Sequence, residues 1–339
     1  EMCGIVAAAS HRDVVPMLLE GLRRLEYRGY DSCGVATLDQ GVLKRARTVS
    51  RVHELVERVA EDGVKGTVGI AHTRWATHGA PEVCNAHPHI SRNRIALVHN
   101  GIIENYVEIK EFLIGQGIRF KSETDTEVVA QLLEFYYNEC HDFLEAVGRV
   151  LRRIEGAYAL GMLCADCPDR IIAARKDAPL LLGYGKGCNF LASDVTAIIK
   201  HTRDVAYMED GEVAVLTREG IEVYDALEQK VEKKHFTIDW EVSAAEKGGY
   251  QHFMLKEIME QPEALRRAIS PRIKDGRVIF DDLKLPVEKM REFTRIFIVA
   301  CGSSYHVGMI GKYNLEHLLR RNVEVVLASE FRYSDPIVD

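Results

Sequence analysis

The chain has 339 residues, enough for about two domains, and 47% hydrophobic with 28% charged residues is typical of a globular protein. The formal net charge is −7, and no segment concentrates Lys and Arg with interleaved aromatic residues, so nucleic-acid binding is not predicted. No apolar run approaches the roughly 18 residues that span a bilayer, and the N-terminus lacks the pattern of a secretion signal, so a membrane location is not predicted either.

The first 224 residues are predicted to combine many short strands with a few amphipathic helices. Helices are predicted over 14–25, where apolar residues recur every three or four positions, and over 128–137, after a capping box that begins at Thr124. Strands are predicted over 3–9, 66–72, 95–99, 158–164, 171–174, 180–183, 213–216 and 221–224. Strands flanked by helices in this way indicate a layered α+β domain over 3–224.

The pattern changes after residue 224. Charged residues accumulate over 228–234, and a helix is predicted at 252–268. We interpret 225–285 as a connecting segment. A strand, a tight turn, a helix and a strand are then predicted at 295–300, 301–304, 305–319 and 323–328. This is one βαβ unit of a doubly wound sheet, and one unit cannot cover both faces of a parallel sheet. We therefore expect 286–339 to be an incomplete α/β domain and the chain to be a fragment.

Cys3, at the start of the first predicted strand, is the candidate nucleophile. A cysteine that is the first residue of a protein can use its own α-amine as base, because the pKa of that amine is about 7.7–8.0. Glu1 and Met2 precede Cys3 here, and an amide nitrogen cannot accept the proton. We expect the active protein to begin at Cys3, which mass spectrometry would check. The alternative is an inert core cysteine.

Four polar segments have no evident reason to lie in a core and are predicted to meet Cys3. Their candidate residues are Arg28 in 25–32; Arg74, Trp75, Thr77 and His78 in 71–79; Asn100 and Gly101 in 98–103; and Asp125 in 122–127. The planar donor fork of Arg74 suits a carboxylate, and the carboxylate of Asp125 could hold an ammonium group. Asn100-Gly101 is either a hairpin turn or a pair of donors for an oxyanion. Arg28 lies either in a functional turn or in a solvated loop.

Cysteine and histidine spacing argues against disulfides and metals. The eight cysteines lack the density of a disulfide framework, which predicts reduced thiols in a cytoplasm. Cys164 and Cys167 form a lone C-x-x-C, which we interpret as a turn between strands. His72 and His78 are not accompanied by the compact ligand spacing of a metal site, so no metal is predicted.

Taken in order, the motifs resemble a known family over nearly the whole chain. They are CGIV at 3–6, RLEYRGYDS at 24–32, HTRWATHG at 72–79, HNGIIEN at 99–105, SETDTE at 122–127, KEIMEQP at 256–262, ACGSSY at 300–305 and ASEFRY at 328–333. They resemble the class II glutamine amidotransferase half of the glucosamine-6-phosphate synthase family, followed by the start of its SIS sugar-isomerase domain.

The resemblance implies an αββα sandwich of the N-terminal-nucleophile (Ntn) hydrolase type and a role for each candidate residue. Cys3 would attack the carboxamide of L-glutamine and form a thioester, with its free amine moving the protons. Asn100 and Gly101 would form the oxyanion hole, Arg74 would bind the α-carboxylate, Asp125 the α-ammonium, Trp75 would gate the ammonia path, and Arg28, Thr77 and His78 would order the pocket.

In this family, ammonia passes to the isomerase half, which converts fructose 6-phosphate into glucosamine 6-phosphate without a metal or organic cofactor and usually forms the homodimer. Cys301, Gly302, Ser303 and Ser304 match its first ligand loop. The later phosphate loop and catalytic residues of that half have no counterpart here, so we expect the chain alone to be a glutaminase only. The alternatives are a phosphoribosyl-type amidotransferase and a non-catalytic glutamine-binding module.

Overall fold

A computed structural model describes residues 3–76, 79–239, 249–279, 287–334 and 336–338. The chain forms two compact units, which we call the first unit, Glu1–Gly249, and the second unit, Tyr250–Asp339. No described helix is both long enough and apolar enough to cross a membrane.

The described part of the first unit contains two large sheets and five α-helices. The strands are β1 (Gly4–Ser10), β2 (Ser32–Asp39), β3 (Val42–Thr48), β4 (Val68–Arg74), β5 (His89–Ser91), β6 (Ile95–Ile103), β7 (Gly156–Cys164), β8 (Arg170–Lys176), β9 (Leu181–Tyr184), β10 (Cys188–Ala192), β11 (Asp204–Tyr207), β12 (Val213–Thr217), β13 (Ile221–Tyr224), β14 (Lys230–Val231) and β15 (Phe236–Thr237). The helices are α1 (Val15–Leu25), α2 (Val52–Glu61), α3 (Tyr106–Gly115), α4 (Asp125–Cys140) and α5 (Phe143–Leu151).

The strand order is β15-β11-β9-β10-β1-β4-β2-β3 in one sheet and β14-β13-β12-β8-β7-β6-β5 in the other. Neighbouring strands in both sheets are antiparallel. The strands β1 and β4 lie at the centre of the first sheet, so the N-terminal end of the chain is held between strands on both sides.

Alternating side chains explain how the sheets stack. On β1, Ile5 and Ala7 belong to an apolar cluster shared with Ala96 and Val98 of β6 in the other sheet. The intervening residue Val6 instead belongs to a cluster formed with α1 and α2. This two-residue period buries both faces of each central strand.

The second sheet has the same arrangement on its outer face. Leu97 of β6 and Leu160 of β7 lie in one cluster with Leu133 of α4 and Val147 of α5. The layers are therefore helices, sheet, sheet and helices, and the predicted αββα class is confirmed.

The predicted strands and helices of the first unit are present, with limits shifted by a few residues. The elements that were not predicted are β2, β3, β5, β10, β11, β14, β15, α2, α3 and α5. The strand β3 was missed because it carries charged residues, including Arg45 and Arg47. Arg45 donates to the carbonyl of Pro88 at 3.1 Å and Arg47 to that of Ala86 at 2.6 Å, so both cations lie along the sheet instead of facing solvent.

Two short strands occur within the segment that we interpreted as connecting. The strand β14 pairs with β13 and β15 pairs with β11, so residues 230–237 extend the edges of both sheets. The observed limit between the units lies at 249/250. The domain limits of 3–224, 225–285 and 286–339 stay predictions.

The second unit contains a parallel βαβ unit, as predicted. Its elements are α6 (Phe253–Ile269), β16 (Ile273–Lys274), β17 (Arg277–Val278), α7 (Val287–Glu292), β18 (Arg295–Ala300), α8 (Gly302–Leu319), β19 (Asn322–Leu327) and α9 (Ala328–Tyr333). The strands β18 and β19 are neighbours in a parallel pair, and α8 connects them along the chain.

The prediction that this helix begins at residue 305 after a tight turn was wrong. It begins at Gly302 and Cys301 is its N-cap residue, so Ser303 and Ser304 lie in its first turn. Glycine and serine are common where a helix begins, and a sequence pattern does not separate that use from a turn.

Candidate active site

The thiol of Cys3 is held by the backbone of one residue. The Trp75 N–H donates to the Cys3 sulfur at 3.2 Å, and the thiol faces the Trp75 carbonyl at 3.6 Å. Burial raises the pKa of Cys3, against the opposing effects of the Trp75 hydrogen bond and the Arg74 charge. The thiol is therefore protonated at neutral pH, and nucleophilic attack requires a base.

No histidine in the described part of the chain hydrogen-bonds to this sulfur. Two buried histidines, His72 and His99, lie on β4 and β6, and their rings bond to Asn100 and Thr126. Burial also lowers the pKa of His72 to about 3. Both rings therefore bond to groups other than the thiol, and the role of the α-amine of Cys3 as base remains a prediction.

The segment after β4, which holds the thiol, is itself held by the predicted Arg28-Gly29 loop. A β-carbon on Gly29 would lie 2.8 Å from the Trp75 nitrogen, so only glycine allows this approach. The Asp31 N–H donates to the Arg74 carbonyl at 3.0 Å, and its carboxylate accepts from the Ala76 N–H at 3.0 Å. The residues around Trp75 are thus fixed by backbone and carboxylate contacts.

The side chain of Trp75 is 36% exposed and lies edge-on to Tyr30, with ring centroids 5.9 Å apart. It is therefore at the surface of the site, where a side chain can cover an opening. Its role as a gate remains a prediction.

Arg28 forms an ion pair that the sequence did not indicate. Its guanidinium lies 2.5 Å from the carboxylate of Asp194, which also accepts from the Tyr27 hydroxyl at 3.2 Å. Asp194 is also the N-cap of a 3₁₀ turn after β10 and accepts from the Thr196 N–H at 2.8 Å. The Ser193-Asp194 pair after a strand indicates an N-cap in the sequence, but it does not predict the ion pair with Arg28. Whether Arg28 also orders the glutamine pocket remains a prediction.

Asn100 and Gly101 do not form a hairpin turn, because both lie within β6. Gly101 has φ +128°, and a β-carbon there would lie 2.0 Å from the Ala157 carbonyl oxygen, so the position requires glycine. The Asn100 side-chain amide donates to the Cys3 carbonyl at 3.0 Å. An amide N–H donor therefore lies beside the nucleophile.

Arg74 ends β4 and is almost fully buried. Its two terminal nitrogens donate to the carbonyls of Ala80 and Gly79 at 3.3 and 3.0 Å. Burial lowers the pKa of Arg74, while Cys3, Asp31 and Asp125 act in the opposite direction. Thr77 and His78, also predicted at the site, lie outside the described residues.

Asp125 is the first residue of α4 and is buried. Its carboxylate accepts from the Ile103 N–H at 2.9 Å, which joins the start of α4 to the end of β6. The predicted capping box is only half formed. Thr124 accepts from the Glu127 N–H at 3.2 Å, but the Glu127 carboxylate accepts from the Ser122 N–H at 2.6 Å instead of reaching back to Thr124.

Asn85, which sequence reasoning missed, joins the segments that carry Arg74 and Asp125. It is fully buried, donates to the Ala80 carbonyl at 3.0 Å and accepts from the Glu123 N–H at 2.9 Å. Ala80 is the same residue that Arg74 contacts. A lone asparagine in a loop carries no sequence signal for such a bridge.

The structure brings Cys3, Arg74, Trp75, Asn100 and Gly101 together through direct contacts and covalent neighbours, and Asp125 acts on Arg74 electrostatically. Cys301, Gly302, Ser303 and Ser304 belong to the second unit, where all four are exposed at the start of α8. No group of three or more potential metal ligands occurs among the described residues.

Comparison with known proteins identifies the class first. Residues 72–200 match the glutamine amidotransferase domain family, and residues 289–339 match the SIS domain family. The structure of the allosteric regulatory enzyme of purine biosynthesis is similar, with a TM-score of 0.58 and 27% identity over 66% of this chain and 49% of that one. The Bacillus subtilis glutamine phosphoribosylpyrophosphate amidotransferase shares the fold, with a TM-score of 0.58 and 20% identity over 95% of this chain and 65% of that one. The chain contains a class II glutamine amidotransferase domain and the beginning of a SIS domain.

Relatives that match nearly the whole of this chain share one name and so identify a particular enzyme within this class. Isomerizing glutamine–fructose-6-phosphate aminotransferases from Caldanaerobacter subterraneus subsp. tengcongensis and Clostridium acetobutylicum are 52% and 48% identical over 100% and 99% of this chain. The enzyme of that name from Methanosarcina mazei is 45% identical over 99% of it. The chain spans 55–56% of the length of these relatives. It is a homologue of the N-terminal part of glutamine–fructose-6-phosphate aminotransferases.

Proposed function

We propose that this chain hydrolyses L-glutamine to glutamate and ammonia at Cys3. The observation that carries the proposal is the pair of contacts around the nucleophile: the Trp75 N–H on its sulfur and the Asn100 amide on its carbonyl. A half-buried thiol that a base can deprotonate, a neighbouring amide donor and a nearby buried cation are the parts that acyl transfer from an amino-acid amide needs.

In the proposed reaction, the α-amine of Cys3 accepts the thiol proton as the sulfur bonds to the glutamine carboxamide carbon. The Asn100 amide and the Gly101 N–H donate to the oxyanion that forms. The C–N bond then breaks, the amine returns the proton, and ammonia leaves behind a glutamyl thioester. Water adds to the thioester in the same way and releases glutamate and the thiol. This sequence requires that the Cys3 amine be free.

We propose that Arg74 binds the substrate α-carboxylate and Asp125 its α-ammonium group, with Arg28, Thr77 and His78 ordering the pocket and Trp75 gating the ammonia path. The burial of Arg74 and Asp125 supports these roles, because charged groups removed from water bind an oppositely charged ligand strongly.

The likeness to the aminotransferases supports a wider proposal for a protein that carries the whole isomerase region. There, ammonia from Cys3 would aminate fructose 6-phosphate to give glucosamine 6-phosphate. Cys301, Gly302, Ser303 and Ser304 would contact the sugar phosphate and the isomerase half would pair as a homodimer. The eight free thiols fit a cytoplasmic location. We expect these 339 residues alone to form glutamate but no glucosamine 6-phosphate.

The test is glutamate release by the wild type and by Cys3→Ala, together with the N-terminal mass of the protein. The wild type with a free Cys3 amine should release glutamate, and Cys3→Ala should lose the activity while retaining glutamine binding by calorimetry. Cys140→Ala, at a half-buried thiol outside the site, should be unaffected. Equal glutamate release by wild type and Cys3→Ala would overturn the assignment of the nucleophile.

A non-catalytic glutamine-binding module is the second candidate. It would bind glutamine without releasing glutamate, and Cys3→Ala would change nothing.

Full activity in protein that still carries Glu1 would contradict the role of the Cys3 amine as base.

A further inference from the structure

A fully buried histidine contacts the candidate oxyanion donor from behind. The His72 Nε2 atom lies 2.9 Å from Asn100 Oδ1 and 3.0 Å from the His99 carbonyl oxygen. His72 follows Ile70 by two residues on β4, so the ring continues the face of that strand that packs against the other sheet. Its partners lie on β6 of that sheet.

These contacts determine which ring nitrogen carries the proton. The His99 carbonyl can only accept a hydrogen bond, so Nε2 must be the protonated nitrogen. Burial lowers the pKa of His72 to about 3, so the ring is neutral at neutral pH. Nδ1 is then unprotonated, and it has no hydrogen-bond partner within the described chain. The ring of His87 stacks on His72, with centroids 4.1 Å apart and planes 23° apart, and limits its rotation.

The same contacts determine the orientation of the Asn100 amide. The single Nε2–H of His72 is shared between the His99 carbonyl and Asn100 Oδ1, and Nδ2 donates to the Cys3 carbonyl at 3.0 Å. Rotating the amide by 180° would place Oδ1 against the Cys3 carbonyl oxygen and the NH₂ group against the His72 N–H. Both contacts would be repulsive, so the N–H groups stay on the side of the nucleophile.

The hydrogen bond also makes Asn100 a stronger donor. Donation to Oδ1 polarises the amide, and linked hydrogen bonds strengthen one another by roughly 10–30% in condensed phases. An amide whose orientation is fixed before the reaction needs no reorganisation when the oxyanion forms, which is the property that electrostatic catalysis requires.

We propose that His72 is a positioning residue that orients and polarises the Asn100 amide for the oxyanion formed during glutamine hydrolysis. The inference rests on the proposed function. His72 acts through Asn100 and touches no substrate atom, so its removal should lower kcat and leave the KM for glutamine nearly unchanged.

The experiment measures kcat and KM for glutamate release by His72→Gln and His72→Asn, each made in the wild type and in Asn100→Ala. Glutamine has an amide nitrogen that reaches about as far as Nε2, and asparagine is equally polar but too short. We expect His72→Asn to lower kcat by about 10- to 100-fold, less than the roughly 10²–10³ for losing an oxyanion donor. His72→Gln should recover most of the activity.

The double variants separate positioning from general damage. Because His72 acts through Asn100, His72→Asn should lower kcat by no more than about twofold in the Asn100→Ala background. An equal loss in both backgrounds, a change in KM alone, or equal loss in His72→Gln and His72→Asn would overturn the proposal. His201→Asn, at a partly buried ring that stacks on Phe190, controls for the loss of a packed imidazole.

Two further measurements complete the design. Thermal unfolding shows whether each variant is folded. His72→Gln and His72→Asn both keep a polar side chain at this buried position, so their comparison does not involve an apolar substitution. The wild type and Cys3→Ala are assayed in parallel. If the wild type releases no glutamate, the proposed function fails; if it does, and the His72 variants match it, only the positioning role fails.

Discussion

The central strands of the first unit, such as β1, are covered on both faces by other elements. The paired strands β18 and β19 of the second unit are more exposed. All seven residues of β1 are buried, between α1 and α2 on one side and the second sheet on the other. In the second unit, Val299 of β18 is 40% exposed, and Gly308 is the one buried residue that α8 contributes among the described residues. Tyr313 on the same helix is 71% exposed.

The difference shows where buried chemistry is possible. Four layers exclude water from His72, Arg74 and Asp125. This burial is the largest cause of the lowered pKa values of the histidine and the arginine, and it strengthens contacts between charges. The residues matched to the sugar-phosphate loop, Cys301–Ser304, are exposed.

The largest expected difference between the two units is in how far acid lowers their free energy of unfolding. Burial lowers the pKa of His72 to about 3 and those of His87 and His89 well below the usual value, whereas His306 and His317 of the second unit are exposed. Below pH 6.5 the unfolded chain binds protons that the folded unit does not, so the free energy of unfolding rises with pH and falls on acidification. Each buried histidine contributes about 1.4 kcal/mol per pH unit.

We therefore expect the first unit to lose several kcal/mol between pH 7 and pH 5, a slope that follows from about 1.4 kcal/mol per histidine and pH unit. Urea unfolding at pH 7, 6 and 5 measures the change. His89→Gln should reduce the number of protons that the first unit takes up on unfolding in this pH range by about one. A midpoint of the first unit that does not move between pH 7 and pH 5 would contradict this account.

A matched pair of leucines tests the difference in covering directly. Leu133 of α4 is fully buried, and Leu318 of α8 is 73% exposed. Leu133→Ala should destabilise its unit by about 2–5 kcal/mol, because it removes buried contacts and leaves a cavity. Leu318→Ala should cost its unit less than about 0.5 kcal/mol. Urea unfolding of each unit measures both, and equal losses would show that the second unit is as well packed as the first.

The smallest predicted effect separates binding from stability within the first unit. Asn85→Ala removes two hydrogen bonds of a buried side chain, one to the Ala80 carbonyl and one from the partly buried Glu123 N–H, each worth about 1 kcal/mol. Because Asn85 joins the segments of Arg74 and Asp125, we expect the KM for glutamine to rise about tenfold, equivalent to roughly 1.4 kcal/mol. Steady-state glutamate release measures it.

Asn105→Ala is the control for this prediction. Asn105 also makes two side-chain hydrogen bonds to backbone groups, to the Arg153 carbonyl and from the Glu155 N–H, both at 2.9 Å. It should lose similar stability with KM unchanged. An equal rise in KM for Asn85→Ala and Asn105→Ala would show that the effect reflects general loosening of the fold.

Local patterns in the sequence predicted eight of the fifteen described strands and two of the five described helices of the first unit. The apolar spacing of α1 and the continuous apolar runs of β1, β4 and β7 are set by neighbouring residues, so they can be recognised without knowing the fold. The strand β3 was missed because Arg45 and Arg47 are stabilised by carbonyls about 40 residues away. The hairpin interpretation of Asn100-Gly101 was left open for the same reason: its outcome depends on the pairing of β6 with β7.

The sequence by itself determined the candidates for the reactive groups. They are the thiol of Cys3, the cation of Arg74, the amide of Asn100 and the carboxylate of Asp125, each in a polar segment beside an apolar run. The tertiary structure decided how they are held. Arg28 pairs with Asp194, 166 residues away, and His72 reaches Asn100 on the opposite sheet. Such contacts depend on strand order and sheet stacking, which local periodicity does not encode, and burial between the sheets is what gives the buried groups their shifted pKa values.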